Sequence, residues 1–336
     1  MWCKVKASLL ILLFSMSSTT VFAQLERYEL RGMSPEEAYE TGRLLRAQYK
    51  NLESRPYLQY AADNDIPAAA FLYAMELSNY KTTIRTPLAA RKYLLKSAEL
   101  GNRRAMHQLY SDAEWLSDRE IDYWRNKYYE SLIQLGASNP SQATYELSRY
   151  YRDNDRTLSL YYLDLAVSFK HPRALMDKAL LIEQGHGISL MPGARETTVR
   201  ELYLAAAKTG YIPAIRHYIG LLESKGRFEE AYEWRLVALN QGDLISLASV
   251  AKILLGQRAS YEFVTPNPIQ AKAYIDLYLA SAGKDRMQAV YEMFELDQQY
   301  IFSQMSLEIE TLPDKTDSEG KSNPTYFHYD IFWDIN

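Results

Sequence analysis

One joint, written several times, constrains what this chain can fold into more than any other feature. It consists of a small or apolar residue, a turn position three residues later, and a small residue four residues after that. Ala98, Gly101 and Ala105 spell it once, and Ala207, Gly210 and Ala214 spell it again. Looser copies are Ala61, Asn64 and Ala68, then Val167, Lys170 and Ala174, then Leu239, Gly242 and Ser246. The turn positions 64, 101, 170, 210 and 242 are spaced by 37, 69, 40 and 32 residues. A weaker copy at 135–143 halves the longest gap, and another stands at 279–289, so the period is 32 to 40 residues.

The spelling has a physical reason. Gly or Asn just past the last helical turn accepts the left-handed conformation that closes a helix. Pro67, Pro172 and Pro213 then stand where a new helix can use a residue without an amide hydrogen. Alanines on both sides let the two helices cross closely. Lys170 is the least comfortable occupant of the turn position. Between joints the chain reads as helix pairs: 67–80 with 87–101, 172–187 with 194–210, and 213–226 with 227–242. In the last of these, Phe228, Ala231, Tyr232, Leu236 and Leu239 recur at helical spacing and form one stripe. No alternating run is long enough to suggest a sheet. A single pair cannot bury its own apolar face, so the pairs are expected to stack into an all-α solenoid.

Residues 181–215, "LIEQGHGISLMPGARETTVRELYLAAAKTGYIPAI", resemble the Sel-one-like repeat (SLR), a relative of the tetratricopeptide repeat. Gly185, Gly187, Ala194, Tyr203, Ala206, Ala207, Gly210 and Ala214 match that family's pattern. The Asp that the family often carries after the Gly-x-Gly turn is missing from "SLMPG". The resemblance covers roughly 60–300, is strong over 85–105 and 170–245, and is loose elsewhere, above all where linker glycines are missing between 112 and 160. It implies a right-handed superhelix of stacked pairs whose concave surface holds another protein. It also implies an exported bacterial adaptor without catalytic activity. The alternative is a periplasmic immunity protein that neutralises a secreted, lipase-type effector, a role that exported members of this family serve. A second alternative is an enzyme acting on cell-envelope polysaccharide or cell wall.

The ends of the chain read differently from its middle. Residues 1–23 combine Lys4 and Lys6, an apolar run at 7–16 and Val21-Phe22-Ala23, the pattern of a signal peptide cleaved after Ala23. A periplasmic or secreted protein is therefore expected, with no stable membrane insertion once the signal is gone. The one cysteine, Cys3, would leave with it, so burial rather than disulfides has to stabilise the fold. With 47% hydrophobic residues the chain has material for that. Residues 24–55 read as an N-terminal capping helix region, opened by Ser34, Pro35 and Glu37 in a capping-box arrangement. The repeats occupy 56–305, followed by a polar linker at 306–324 and an aromatic tail at 325–336. So apolar a tail must dock, as a cap on the last repeat, in the protein's own groove, or on a partner.

Without Lys4 and Lys6, 36 basic residues face 42 acidic ones, a net charge of −6, and no basic run exceeds Arg103-Arg104. Nucleic acid is a poor partner for such a surface. "GHG" at 185–187 follows a helix rather than a strand, and Leu190 stands where a dinucleotide fingerprint needs its third glycine. The five histidines form no metal-binding spacing, and only His186 has a glutamate, Glu183, one turn away. "DNDRT" at 153–157 opens like a calcium loop, but Leu158 replaces the required glycine. No cofactor, metal or catalytic residue is expected.

Tyrosine, with 28 copies, is the compositional oddity. Most of these rings should pack helices against alanines, and some should face a partner, where Tyr offers large contact area at small entropic cost. The candidates for partner contact are Tyr128, Tyr150, Tyr161, Tyr203, Trp234, Tyr326, Phe332 and Trp333.

Overall fold

A computed structural model of the chain describes residues 30, 32–79, 86–186, 193–305 and 324–329. The expected signal, the linker up to residue 323 and residues 330–336 lie outside the described residues. Among those described, the chain is all-helical, with fifteen α-helices and one 3-10 turn. The chain divides into two compact units, Met1–Arg46 with Asn51–Ala105, and Ala47–Lys50 with Met106–Asn336.

The first unit contains α1 (Pro35–Ala47, whose last residue belongs to the second unit), α2 (Asn51–Asp63), α3 (Pro67–Asn79) and α4 (Leu88–Glu99). The expected capping box is formed: the Ser34 amide donates to Glu37 Oε2 at 2.8 Å, and the Glu37 amide donates to Ser34 Oγ at 3.1 Å. Buried within this unit, Glu76 accepts from Arg46 Nε at 2.7 Å and from Asn51 Nδ2 at 2.9 Å. Such a buried carboxylate requires these donors.

The second unit contains α6 (Asp118–Ser138), α7 (Pro140–Tyr150), α8 (Arg156–Ser168), α9 (Pro172–Glu183) and α10 (Ala194–Lys208). It continues through α11 (Ile212–Ser224), α12 (Phe228–Asn240), α13 (Leu244–Leu254), α14 (Pro268–Ser281) and α15 (Lys284–Met305). The helix α5 (Arg103–Asp112) spans the division between the units. From α6 to α15 each helix packs on the next, and α9 also meets α11, as stacked helix pairs require.

The joints close as their spelling predicts. Gly101, Gly210 and Gly242 have φ of +91°, +83° and +87°, and Lys170 takes the same left-handed region at +58°. The Asn102 amide bonds the Ser97 carbonyl while the Gly101 amide bonds that of Ala98, the paired closure of a Schellman turn. One position is corrected: the left-handed residue of the α2–α3 joint is Asp65, at +64°, and not Asn64, whose side chain instead donates to the Tyr60 carbonyl. The joint alanines Ala98, Ala105, Ala174, Ala207 and Ala214 are all buried, as close helix crossing demands. In the stripe of α12, Ala231 and Leu239 are buried in the core. Between 112 and 160, where glycines are missing, Asn139 makes the joint by capping α7, accepting from the Gln142 amide at 3.1 Å.

The tail docks through residues 324–329 inside the second unit. Phe327 pairs in parallel with Asp243: the Phe327 amide donates to Gly242 at 3.0 Å, and the Leu244 amide donates to Phe327 at 3.1 Å. From the other side, the His328 amide donates to the Ala47 carbonyl at 2.8 Å, and Gln48 Nε2 donates to that of Tyr326 at 2.8 Å. The tail therefore grips the α12–α13 joint and the turn after α1. Tyr326 sits in the same core cluster as Leu244, Leu247, Ile275 and Phe294. Gly242 is indispensable here, because a Cβ at that position would meet the Thr325 carbonyl oxygen at 2.3 Å.

Candidate functional site

The helices α5 to α8 build the aromatic surface that composition foreshadowed. On α6, Trp124, Tyr128 and Leu132 repeat every four residues and are buried, which fixes the rotation of the helix. The same rotation leaves Tyr123 and Ile133 each 52% exposed. Ser117 and Glu120 begin α6 with a capping box, the Ser117 amide donating to Glu120 Oε2 at 2.8 Å.

From buried Tyr128 a continuous chain of ring contacts runs to the surface. Its centroid lies 5.5 Å from Tyr110 of α5 and 6.2 Å from Tyr150 of α7. Tyr150 in turn meets Tyr129 at 5.3 Å and stands edge-on to Tyr151 at 5.1 Å. Tyr151 stacks on Tyr162 of α8 at 5.7 Å, and Tyr162 meets Tyr161 edge-on at 5.3 Å. Tyr161 is 60% exposed, while Tyr129, Tyr150, Tyr151 and Tyr162 are half-buried. Each ring is thus held by others while its edge or hydroxyl reaches the surface, and little rotamer freedom remains to be lost on contact.

Polar groups beneath the face hold it. The Tyr128 hydroxyl donates to Glu146 Oε2 at 3.0 Å, and Gln142 Nε2 donates to Glu146 Oε1 at 2.8 Å. Gln142 Oε1 lies 2.9 Å from His171 Nε2, whose ring stacks on Tyr145 at 4.4 Å. Burial and the Glu146 charge raise the Tyr128 hydroxyl far above the ordinary phenol value. Tyr110 is pushed up to about 12, mainly by burial and then by Tyr150. Tyr151 reaches about 12 through its hydrogen bond with Tyr129 and then burial. All three are neutral donors at physiological pH. Burial first, and then Arg149, lowers His107 beneath the cluster. Around the face, Arg125 pairs with Asp122 at 2.8 Å and Lys127 with Glu130 at 2.9 Å. The surface is therefore aromatic at its centre and polar at its rim, the anatomy of a protein interface.

Of the residues singled out in the sequence, Tyr128, Tyr150 and Tyr161 come together in this cluster, with only Tyr161 well exposed. Tyr203 lies elsewhere and is 1% exposed, its hydroxyl donating to Glu183 Oε2 at 3.0 Å and its ring 4.0 Å from His217. Trp234 is half-buried, edge-on to Tyr218 at 5.6 Å. Tyr326, part of the docked tail itself, is buried in the core. Tyr128, Tyr203 and Tyr326 are thus committed to the chain's own packing, because closely fitted helices and alanines surround large rings best. Phe332 and Trp333 lie outside the described residues. Sequence reasoning missed Tyr129, Tyr151 and Tyr162 as members of the surface; Tyr123 is exposed on α6, but among the described residues its ring meets only Trp124 and Lys127. The four-residue repeat of Trp124, Tyr128 and Leu132 was the signal that could have oriented α6. Among the described residues no group of His, Cys, Asp and Glu is placed to hold a metal ion, and no helix is long and apolar enough to cross a membrane.

Several solved structures are similar to this chain. A Sel1 repeat protein from Oxalobacter formigenes is 16% identical, covering 84% of this chain and 80% of its own, with a TM-score of 0.39. The immunity protein PA5088 from Pseudomonas aeruginosa is 18% identical, covering 74% and 89%, at a TM-score of 0.41. The protective antigen c5321 of uropathogenic Escherichia coli, which displays an SLR fold, is 15% identical, covering 87% and 68%, at 0.37. At these values the likeness carries no argument about function. No family model matches the chain, and no curated protein matches it.

Proposed function

We propose that this chain is a non-catalytic protein-binding scaffold that holds a protein partner on the tyrosine face of α6–α8. One observation carries the reading: an unbroken series of rings from buried Tyr128 to Tyr161, which is 60% exposed, presents fixed aromatic area inside a rim of self-paired charges. Rigid tyrosines of this kind are the usual anchors of protein contacts. The buried acids Glu76 and Glu146 are engaged by Arg, Asn, Gln and Tyr donors, as packing groups are. Export with cleavage after Ala23 belongs to the same proposal and rests on the pattern of residues 1–23.

The test is affinity capture from a native cell-envelope extract, with wild-type protein and a Tyr161→Ala variant side by side. A stoichiometric protein retained by the wild type and lost from the variant supports the scaffold. Equal retention by both, or no retained protein, sinks it. A captured toxin that the protein inhibits assigns an immunity role, whereas an envelope component assigns an adaptor.

A further inference from the structure

Away from the tyrosine face, the helices α13, α14 and α15 enclose a half-open cavity of about 280 Å³. Its edge includes the point where α15 departs from helical geometry, Met287, with φ of −127° and ψ of 46°. Ile245, Ala248, Val290, Met293 and Phe294 make an apolar bowl with Met287 at its edge. Ile245, Met287 and Met293 stay 37–40% exposed, so the apolar surface opens to solvent. The rear wall is rigid: Tyr49 stacks on His328 at 3.9 Å, and Tyr278 meets Phe294 at 4.4 Å.

Among the described residues that line this bowl, the charged ones are Lys252 and Arg258. Lys252 is paired with Asp297, which leaves its ammonium over the Phe294 ring at 5.2 Å. Arg258 is exposed, and the carboxyl its charge influences, Glu223, is already held by Arg235 and Tyr261. One guanidinium is therefore available at the mouth of an apolar, methionine-edged pocket. Methionine adapts to flexible apolar chains, and Arg presents a fork suited to a carboxylate. The volume lies near the small end, about 300 Å³, of cavities that take small ligands.

We propose that this cavity binds a small amphipathic acid, with an unbranched aliphatic chain in the bowl and its carboxylate on Arg258. Decanoate is the probe. It is titrated calorimetrically into purified full-length protein and used to displace 1-anilinonaphthalene-8-sulfonate. Two variants accompany it. Ala248→Trp fills the bowl at a half-buried position, and Arg258→Ala removes an exposed charge, with melting curves checking that both fold.

The expected result is one decanoate per chain, no binding to Ala248→Trp, about tenfold weaker binding to Arg258→Ala, and no binding of decyltrimethylammonium to the wild type. The tenfold figure corresponds to one solvent-exposed, charge-assisted hydrogen bond. Absence of decanoate binding overturns the proposal, as does binding that neither variant changes or equal binding of the cationic analogue. Loss of protein capture by Ala248→Trp without any decanoate binding also overturns it, because the bowl would then belong to a protein interface.

Discussion

Gly242→Ala should destabilise the fold more than the same change at Gly210, and the difference measures how firmly the tail is clasped. The two glycines have nearly equal φ, +87° and +83°, so left-handed strain of about 1–2 kcal/mol is common to both. They differ in what a Cβ would meet. At Gly210 the nearest atoms are the end of the Gln241 side chain at 3.7 Å, which is ordinary contact. At Gly242 the new methyl would stand 2.3 Å from the Thr325 carbonyl oxygen, a backbone atom. Relief requires the tail to move, and the bonds at risk are Phe327 to Gly242, Leu244 to Phe327 and His328 to Ala47. At about 0.5–1.5 kcal/mol net each, three backbone bonds add roughly 2–4 kcal/mol to the cost, before any loss of Tyr326 burial. A chain of two units need not unfold in one step, so denaturant midpoints should be read together with chymotryptic cleavage near Tyr326 and Phe327. Gly242→Ala should lower the midpoint further and expose the tail to cleavage, while Gly210→Ala leaves the tail protected. Equal midpoints with an equally protected tail would refute the clasp.

Other consequences follow from named contacts. Glu76→Gln should cost about 3–5 kcal/mol in urea unfolding, because it leaves Arg46 partly buried without its counter-charge. Burial, and then Arg173, lowers His171 to about 4. Because the unfolded chain binds a proton there near pH 6.5, stability should be full above that pH and fall as the pH drops toward 4. The loss is up to about 3 kcal/mol. His171→Asn, which preserves an acceptor for the Ala174 amide, should flatten that slope in pH-dependent melting. Tyr161→Ala should shift the melting midpoint negligibly yet weaken partner binding by about 1–2 kcal/mol, read by calorimetry.

The joints were legible because their chemistry is local. Gly101, Gly210 and Gly242 with alanines at fixed offsets announce closed helix ends and close crossings, and the helices formed where those spellings stand. The α2–α3 joint shows the limit of that reading: the left-handed turn can shift by one residue to Asp65 when Asn64 bonds backward to Tyr60 instead. The tyrosines were legible as a class but not one by one. Whether a ring faces core or solvent depends on helix rotation, which is set by partners far along the chain; Tyr203 is sealed by Glu183 and His217, while Tyr161 is not. The tail's docking was foreseeable from its apolar character, but its site was not. The Asp243–Phe327 pairing joins segments 84 residues apart, and its clearest trace in the sequence is that position 242 must be glycine.

The most direct measurement of the central claim is the affinity of the captured partner for wild-type protein and for the Tyr161→Ala variant, at matched melting temperatures. The account predicts a loss of about tenfold with both proteins equally folded, because an exposed ring held in place by its neighbour supplies binding area rather than stability. An unchanged affinity would contradict it and would move the binding surface off α6–α8.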